Sequence, residues 1–279
     1  MKAVHTENER IAKLWRVGRL LIGKTQVELS KELKISQSNI SKYESMALEP
    51  SASDWYNFCE FVGIDAHKTL SVGYIDGKKK FKHRLFGETL LKLPVKYRRD
   101  FLLKIRELIP FRECILAKMG EEAWDSFLDL NKIDDEIFFV YDFQVSMNMF
   151  NDLISWCKTR HFDIIEEVKH FSANTSYCGI LNESYARRKK PQELIKSLIE
   201  DQSYYHQIFK TEINVTKDRI EFIPRLTLEA TQFFEKETLN VFLTHKLNSF
   251  KEILNKNSSS PHLFEIFDHN HEISFSVSA

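Results

Sequence analysis

The chain has few of the residues that mark a phosphate-binding loop, a metal site or a disulfide framework. Only eight of its 279 residues are glycine, and they form no cluster. The four cysteines (Cys59, Cys114, Cys157 and Cys178) are far apart, which predicts reduced thiols rather than a zinc site or disulfides. No apolar run approaches the roughly 18 residues of a membrane span, and no signal peptide is visible, so we expect a soluble cytoplasmic protein.

Net charge is also absent, but its distribution is uneven. The chain has 40 Lys and Arg against 40 Asp and Glu. Residues 1–84 hold 15 basic and 10 acidic residues, whereas residues 85–279 hold 25 and 30. A basic N-terminal part on an acidic body favours phosphate contact at one end of the protein. The length and the hydrophobic content of 43% predict two packed domains.

Residues 25–44 (TQVELSKELKISQSNISKYE) have the pattern of two short amphipathic helices with a tight connection. Apolar residues recur at helical spacing and are predicted to line the inward face of each helix: Val27, Leu29 and Leu33 in the first, Ile40 and Tyr43 in the second. Ser36 is placed to cap the second helix. The outward residues of that helix are small, polar or basic: Gln37, Ser38, Ser41 and Lys42. Amides and hydroxyls on an uncovered helix face suit the base edges of the DNA major groove.

The flanking residues predict three more helices, over residues 7–22, 54–64 and 66–70, with Ser53 as a cap of the second. Five helices within residues 1–72 predict an all-α domain whose second and third helices form a helix-turn-helix. Residues 73–84 (GYIDGKKKFKHR) read as a basic linker. Its lysines predict either an arm that touches phosphates or a solvated connection.

Residues 11–72 resemble the phage repressor/Cro type of helix-turn-helix domain, also called the xenobiotic-response-element type. The resemblance rests on RLLIGKTQVELSKEL, the connection KIS, the helix QSNISKYE and a loop that ends in Pro50. It implies that Gln26 contacts a phosphate while the third helix meets bases and backbone. The DNA-contacting set that it implies is Gln26, Gln37, Ser38, Asn39, Ser41 and Lys42.

The same resemblance implies a buried salt bridge between Arg19 and Glu44 that holds the first helix against the third. Two positions depart from the family pattern. Met46 stands where a glycine usually follows the final glutamate by two residues, and Ser30 stands where another small residue is usual. The first departure concerns the backbone after the third helix, since glycine serves there for conformational freedom.

Residues 85–279 predict an α+β domain with helices first and β-hairpins late. Helices are predicted over 93–108, 111–119, 121–130, 147–160, 162–172, 192–205 and 228–254. The run EIFFVYDFQV (136–145) is rich in Phe, Val and Ile and predicts an extended segment. Two hairpins are predicted, one over residues 207–226 and one around DHNH (268–271).

The end of the chain is similar, in pattern more than in motif, to the C-terminal half of 4-vinyl-reductase-like and haem–nitric-oxide-binding-like sensory domains. The pattern is a hairpin, a helix containing FLTHKL, a loop and two terminal strands. It implies a small-ligand pocket and dimerisation. Some members carry paired cysteines near those strands, where this chain has His262, His269 and His271. The departure argues against a bound metal or haem.

We find no catalytic set, metal site or cofactor motif, since His269 and His271 flank a polar turn and Cys178 lacks a nucleophile signature. The chain reads as a transcriptional regulator that binds double-stranded DNA as a homodimer at the nucleoid. Its second domain would oligomerise or sense a small-molecule effector. Two other classes stay open. A protein-interaction adaptor with a degenerate helix-turn-helix would pack Gln37, Ser38 and Lys42 against other parts of the chain, and a DNA-tethered enzyme would show a deep pocket with converging titratable groups.

Overall fold

The structure is a computed structural model. It describes residues 7–72, 75, 92–100, 102–172, 208–215, 219–227, 238, 241–242, 245, 264–269 and 272–278. Its contacts divide the chain into two compact units, one of Met1–Val95 and Leu116–Phe143, the other of Lys96–Ile115 and Gln144–Ala279. Apart from Ile75, the predicted linker over 73–84 lies outside the described residues. Among the residues described, no helix is long and apolar enough to span a membrane.

Five helices form the N-terminal part of the first unit, as predicted: α1 (Glu7–Leu21), α2 (Gln26–Leu33), α3 (Gln37–Glu44), α4 (Ala52–Val62) and α5 (Ala66–Val72). Their core is built on Trp15, which stacks on Phe58 at 4.2 Å between ring centroids and meets Tyr43 edge-on at 5.0 Å. Gly18 permits this packing, because a Cβ there would lie 2.6 Å from the Phe58 ring. Helices α1, α3 and α4 are thereby held together by aromatic contacts.

Side-chain caps fix where these helices begin. Thr25 caps α2 in a capping box, since Glu28 N donates to Thr25 Oγ1 at 3.2 Å and Thr25 N donates to Glu28 Oε2 at 2.8 Å. The bonds from Thr25 lower the pKa of the Glu28 carboxyl. Ser36 caps α3 as predicted. The cap of α4 is Ser51 and not Ser53, because that helix begins earlier than its apolar pattern indicates.

The inward face predicted for α2 is wrong at one position. Val27 is 52% exposed, whereas Leu29 is fully buried. On an α-helix, the side chains of residues i and i+2 point in nearly opposite directions, so Val27 and Leu29 cannot share one face. The apolar contact of α2 with its neighbours therefore depends on Leu29, with Leu33 only half-buried.

The turn after α3 places a non-glycine residue in the left-handed backbone region. Met46 has a φ of 62° and is 56% exposed. Left-handed backbone costs an L-residue roughly 1–2 kcal/mol. A glycine at this position would avoid that cost, but it would lose part of the gain because glycine has more conformational freedom in the unfolded chain. We expect Met46→Gly to raise the free energy of unfolding by about 1 kcal/mol, measured from urea unfolding. Met46→Ala is the matched control and should stay near wild type. A glycine variant no more stable than the alanine variant would contradict this account.

Four further helices match their predicted positions: α6 (Ile109–Met119), α7 (Glu121–Asn131), α8 (Met147–Thr159) and α9 (Ile164–Ser172). The helix predicted over 192–205 lies outside the described residues. The long helix predicted over 228–254 is described only at Thr238, Val241, Phe242 and His245, all of which are helical and buried. Residues 109–172 are therefore largely helical.

The helix predicted over residues 93–108 is wrong. The chain there forms 3-10 turns at Val95–Tyr97 and Ile105–Glu107 around a short strand, β1 (Leu103–Lys104). Asp100 breaks the helix with a φ of 54°. Its carboxylate accepts from Ser146 Oγ at 2.7 Å and from Leu102 N at 3.3 Å, so a short polar side chain takes the place of helical bonding. Burial raises the pKa of Asp100 in spite of these bonds.

The extended segment predicted over 136–145 is also mostly wrong. Asp135–Phe139 is a 3-10 helix, and only Gln144–Val145 is a strand, β2, which pairs antiparallel with β1. The apolar run from Ile137 to Val140 is buried without alternation. A continuous apolar run fits a buried helix as well as a buried strand, so composition alone misleads here.

Both predicted hairpins are present. Strands β3 (Phe209–Val215) and β4 (Arg219–Leu226) pair antiparallel, as do β5 (Phe264–His269) and β6 (Glu272–Ser278). An antiparallel β4–β6 pairing joins the hairpins into one four-stranded sheet of order β3-β4-β6-β5. Local turn signals predict each hairpin, but the long-range pairing that joins them has no sequence signature.

Candidate nucleic-acid interface

The connection between α2 and α3 is set by backbone geometry at Lys34. This residue has a φ of 57° and closes α2 through a bond from its N–H to the carbonyl of Ser30. The inner face of α3 is then held by Ile40, which is fully buried, and by Tyr43. Tyr43 OH donates to Asp54 Oδ2 of α4 at 2.8 Å. Burial and this bond raise the pKa of Tyr43 to about 12, so α3 is anchored by a neutral phenol at ordinary pH.

A buried ion pair joins α1 to the end of α3. Arg19 donates through Nε to Glu44 Oε1 at 2.5 Å and through Nη2 to Glu44 Oε2 at 2.8 Å. Arg19 Nη1 also donates to the carbonyl oxygen of Lys24 at 2.9 Å. The Arg19 and Glu44 side chains are 11% and 6% exposed. This is the pair that the family resemblance implies. It is bidentate, which is the stronger geometry for an arginine–carboxylate pair.

The Glu44 carboxylate is also linked by hydrogen bonds to Gln26 and, through Gln26, to Gln37. Gln26 Nε2 donates to Glu44 Oε2 at 2.9 Å, and Gln37 Nε2 donates to Gln26 Oε1 at 2.9 Å. A carboxylate only accepts, so Gln26 must turn its NH₂ group inward and its oxygen toward Gln37. Gln37 must then donate to Gln26. In this relay, the carbonyl oxygen and the second N–H of the exposed Gln37 amide stay unbonded among the contacts described.

The remaining predicted contact residues lie on the same helix. Gln37, Ser38 and Lys42 are exposed, and Asn39 and Ser41 are half-buried. Their polar groups therefore follow one helix whose opposite face is fixed in the core. The relay between Gln26 and Gln37 has no counterpart in the sequence reasoning. The spacing of the two glutamines across the turn is the only signal that could have suggested it.

The helical bundle itself has no excess of positive charge. Residues 7–67 contain eight Lys and Arg against nine Asp and Glu. The basic excess of the N-terminal part lies in residues 78–84, which contain five basic residues and no acidic one. Around α2 and α3 the cations are Lys24, Lys31, Lys34 and Lys42. Lys24 Nζ lies 3.5 Å from Glu32 Oε1 in an exposed pair, so the local positive field is modest.

Residues 18–67 match the family model described as Helix-turn-helix. They form a Cro/C1-type helix-turn-helix domain. No curated protein matches the chain. The matched range includes the Arg19–Glu44 pair and the whole of α2, α3 and α4. The domain assignment thus covers every residue of the relay, while the rest of the chain lies outside the match.

The C-terminal part of the chain resembles H-NOX proteins of known structure at low identity. One is the Fe(II) unliganded H-NOX protein from K. algicida, with 13% identity, a TM-score of 0.46, and coverage of 63% of this chain and 96% of that one. A point mutant of the same protein gives 12%, 0.47, 63% and 96%. A doubly substituted Tt H-NOX protein gives 9%, 0.42, 63% and 93%.

Of the residues weighed for catalysis, Cys178 and His271 lie outside the described residues, as does the side chain of His269. The cysteine side chains that the structure describes, Cys59, Cys114 and Cys157, are buried. Burial raises the pKa of Cys59 and Cys157 to about 12, so their thiols are poor nucleophiles. Within the described ranges, no group of three or more His, Cys, Asp and Glu could hold a metal ion. His262 also lies outside these ranges.

Proposed function

We propose that the protein is a sequence-specific DNA-binding transcriptional regulator that acts as a homodimer at the nucleoid. The observation that supports this most is the outward face of α3. Gln37, Ser38 and Lys42 are exposed there, and the relay from Glu44 through Gln26 fixes the Gln37 amide. A helix that presents fixed donors and acceptors can discriminate base edges. We assign it a binding function and no catalytic activity.

The relay supports a specific base preference. With one N–H bound to Gln26, the Gln37 amide presents a carbonyl oxygen beside an N–H. Adenine presents an N6 amino donor beside the N7 acceptor in the major groove, which is the complementary pair. Lys42 is suited to guanine O6 and N7 or to a phosphate, and the Ser38 and Ser41 hydroxyls suit either type of group. Gln26, fixed at the start of α2, would bind a phosphate with its remaining N–H.

Dimerisation and sensing belong to the same proposal. A single helix-turn-helix covers few base pairs, and this one has little charge to add phosphate affinity. Two copies related by a twofold axis would place their α3 helices about one turn of DNA apart, roughly 34 Å, on a palindromic site. The region after the helix-turn-helix would provide the contact between protomers and respond to a small-molecule effector.

The test starts with selection of bound fragments from random duplex DNA by the full-length chain. Affinity for the selected site is then measured as a function of salt concentration. A palindromic consensus with an adenine at the α3 contact supports the proposal. If the selection enriches no sequence and the chain binds no duplex above background, the proposed function is contradicted.

Lys42→Ala tests the assignment of α3 within that experiment. We expect affinity for the selected site to fall by about 5- to 100-fold, as for loss of one base contact. The matched control is Lys31→Ala on α2, which removes the same charge from an exposed residue outside the proposed contact set. Equal losses in both variants would show that general charge, and not the α3 surface, governs binding.

A further inference from the structure

Helix α1 has a second interface, on the side that does not face the core of the helix-turn-helix. Lys13 Nζ lies 3.1 Å from Asp135 Oδ2, and Arg16 Nη1 lies 2.5 Å from Glu136 Oε1. The two carboxylate side chains are only 17% and 15% exposed. We call these four residues the α1 clamp. Both acids begin the Asp135–Phe139 3-10 helix, more than a hundred residues further along the chain.

The acidic side of the α1 clamp is itself held in place. Asp135 Oδ1 accepts from the indole Nε1 of Trp124 at 3.0 Å. Trp124 lies in α7, is 1% exposed and meets the Phe138 ring edge-on at 4.9 Å. Lys13 Nζ also lies 5.5 Å from the centroid of the Phe139 ring, within cation–π range. A carboxylate oriented by a buried indole is a fixed receptor for a cation, unlike a mobile surface pair.

On its other side, helix α1 is linked through Glu44 to the residues that are proposed to bind DNA, Gln26 and the outward face of α3, which we call the reading surface. Arg19, one turn after Arg16, holds Glu44, and Glu44 starts the relay to Gln26 and Gln37. Segment 116–143, which includes α7 and the acids of the clamp, continues at both ends into the sequence of the second unit. A single 15-residue helix thus contacts that segment and, through Glu44, is linked to the reading surface.

We propose that the α1 clamp fixes the helix-turn-helix on segment 116–143 in one orientation, and that this fixed orientation sets affinity for a two-half-site operator. The binding part of the proposal rests on the proposed dimeric regulator. Two reading helices held in fixed orientations lose less conformational freedom on binding a palindrome than two loosely attached ones. A single half-site does not require the two helices to be aligned, so its binding should not depend on the clamp.

Charge reversal at Glu136 separates this proposal from a simple charge effect. Glu136→Arg adds positive charge near a DNA-binding domain, which by general electrostatics strengthens DNA binding. It also sets Arg16 against a like charge and so opens the clamp. We expect affinity for the two-half-site operator to fall about tenfold, by loss of the fixed geometry, and affinity for a single half-site to stay equal or rise.

Two variants control the experiment. Glu122→Arg makes the same charge change at an exposed position of α7 and should not weaken operator binding. Arg16→Glu combined with Glu136→Arg restores an opposite-charge pair at wild-type net charge and should recover operator affinity to within about threefold. Hydrogen exchange of the full-length chain without DNA should be faster in α1 and in residues 135–139 of Glu136→Arg, and should slow again in the exchanged pair.

The outcomes are distinct. Unchanged exchange in α1 of Glu136→Arg, or failure of the exchanged pair to slow it, overturns the clamp as a structural link. Clamp-dependent exchange with unchanged or stronger operator binding overturns its role in affinity. If the wild-type chain selects no DNA site, the proposed function fails, and the exchange measurements still decide whether the clamp fixes the helix-turn-helix.

Discussion

Glu44→Ala is expected to lower the free energy of unfolding by about 3 kcal/mol. Arg19 would lose its bonds to both oxygens of the Glu44 carboxylate and keep, among the contacts described, only the carbonyl of Lys24. A guanidinium that stays 9% exposed without its counter-ion costs far more than a surface pair. Gln26 would lose its anchor as well.

The matched control is Glu32→Ala. Glu32 pairs with Lys24 at 3.5 Å with its side chain 48% exposed, so its loss should cost less than about 0.5 kcal/mol. Urea unfolding of the full-length chain, followed by tryptophan fluorescence, compares the two, since Trp15 and Trp55 both lie in the core of this domain. Equal midpoints for Glu44→Ala and Glu32→Ala would mean that the Arg19–Glu44 pair adds no net stability.

Gln37→Ala should lower affinity for the selected operator by about 5- to 100-fold and abolish preference for adenine at one base pair. The fold should be unchanged, because Gln37 is exposed and bonds only to Gln26 among the contacts described. Asn57→Ala, which removes an exposed amide from α4, is the matched control and should bind as wild type. Loss of affinity without any change in base preference would remove the role assigned to the Gln37 amide.

Gln26→Ala gives an independent test of the relay. Without Gln26, the Gln37 amide can rotate and present its NH₂ and oxygen in either order. Discrimination between adenine and the other bases should then weaken even where Gln37 is intact. An adenine preference that survives Gln26→Ala would show that the relay does not set the amide orientation.

The helix-turn-helix could be predicted almost completely because its signals are local. Caps at Thr25 and Ser36, and apolar spacing through Leu29, Ile40 and Tyr43, fix its elements within short windows. The misplaced elements depend on distant partners. Asp100 breaks a helix pattern through Ser146, which is 46 residues away. The Asp135–Phe139 3-10 helix pairs with Lys13 and Arg16 of α1, which lie far away in the sequence.

The candidate site likewise has some residues that could be predicted from local sequence and some contacts that could not. The identities of Gln37, Ser38 and Lys42 follow from helix periodicity, since their opposite face is apolar. The relay and the α1 clamp do not, because each depends on side chains brought together by tertiary packing. Gln37 bonds to Gln26, Gln26 bonds to Glu44, and Glu44 bonds to Arg19 of α1. No spacing rule relates Arg16 to Glu136, which are 120 positions apart.

The near-neutral charge of residues 7–67 has a consequence for how this protein would search a genome. Retention on arbitrary DNA comes almost entirely from release of cations condensed along the duplex, which requires lysine and arginine at phosphates. With nine acids against eight bases, residues 7–67 would by themselves displace few of those ions. The protein's binding to non-specific genomic sites would therefore be weak, and occupancy of its operator would depend mainly on base-specific contacts.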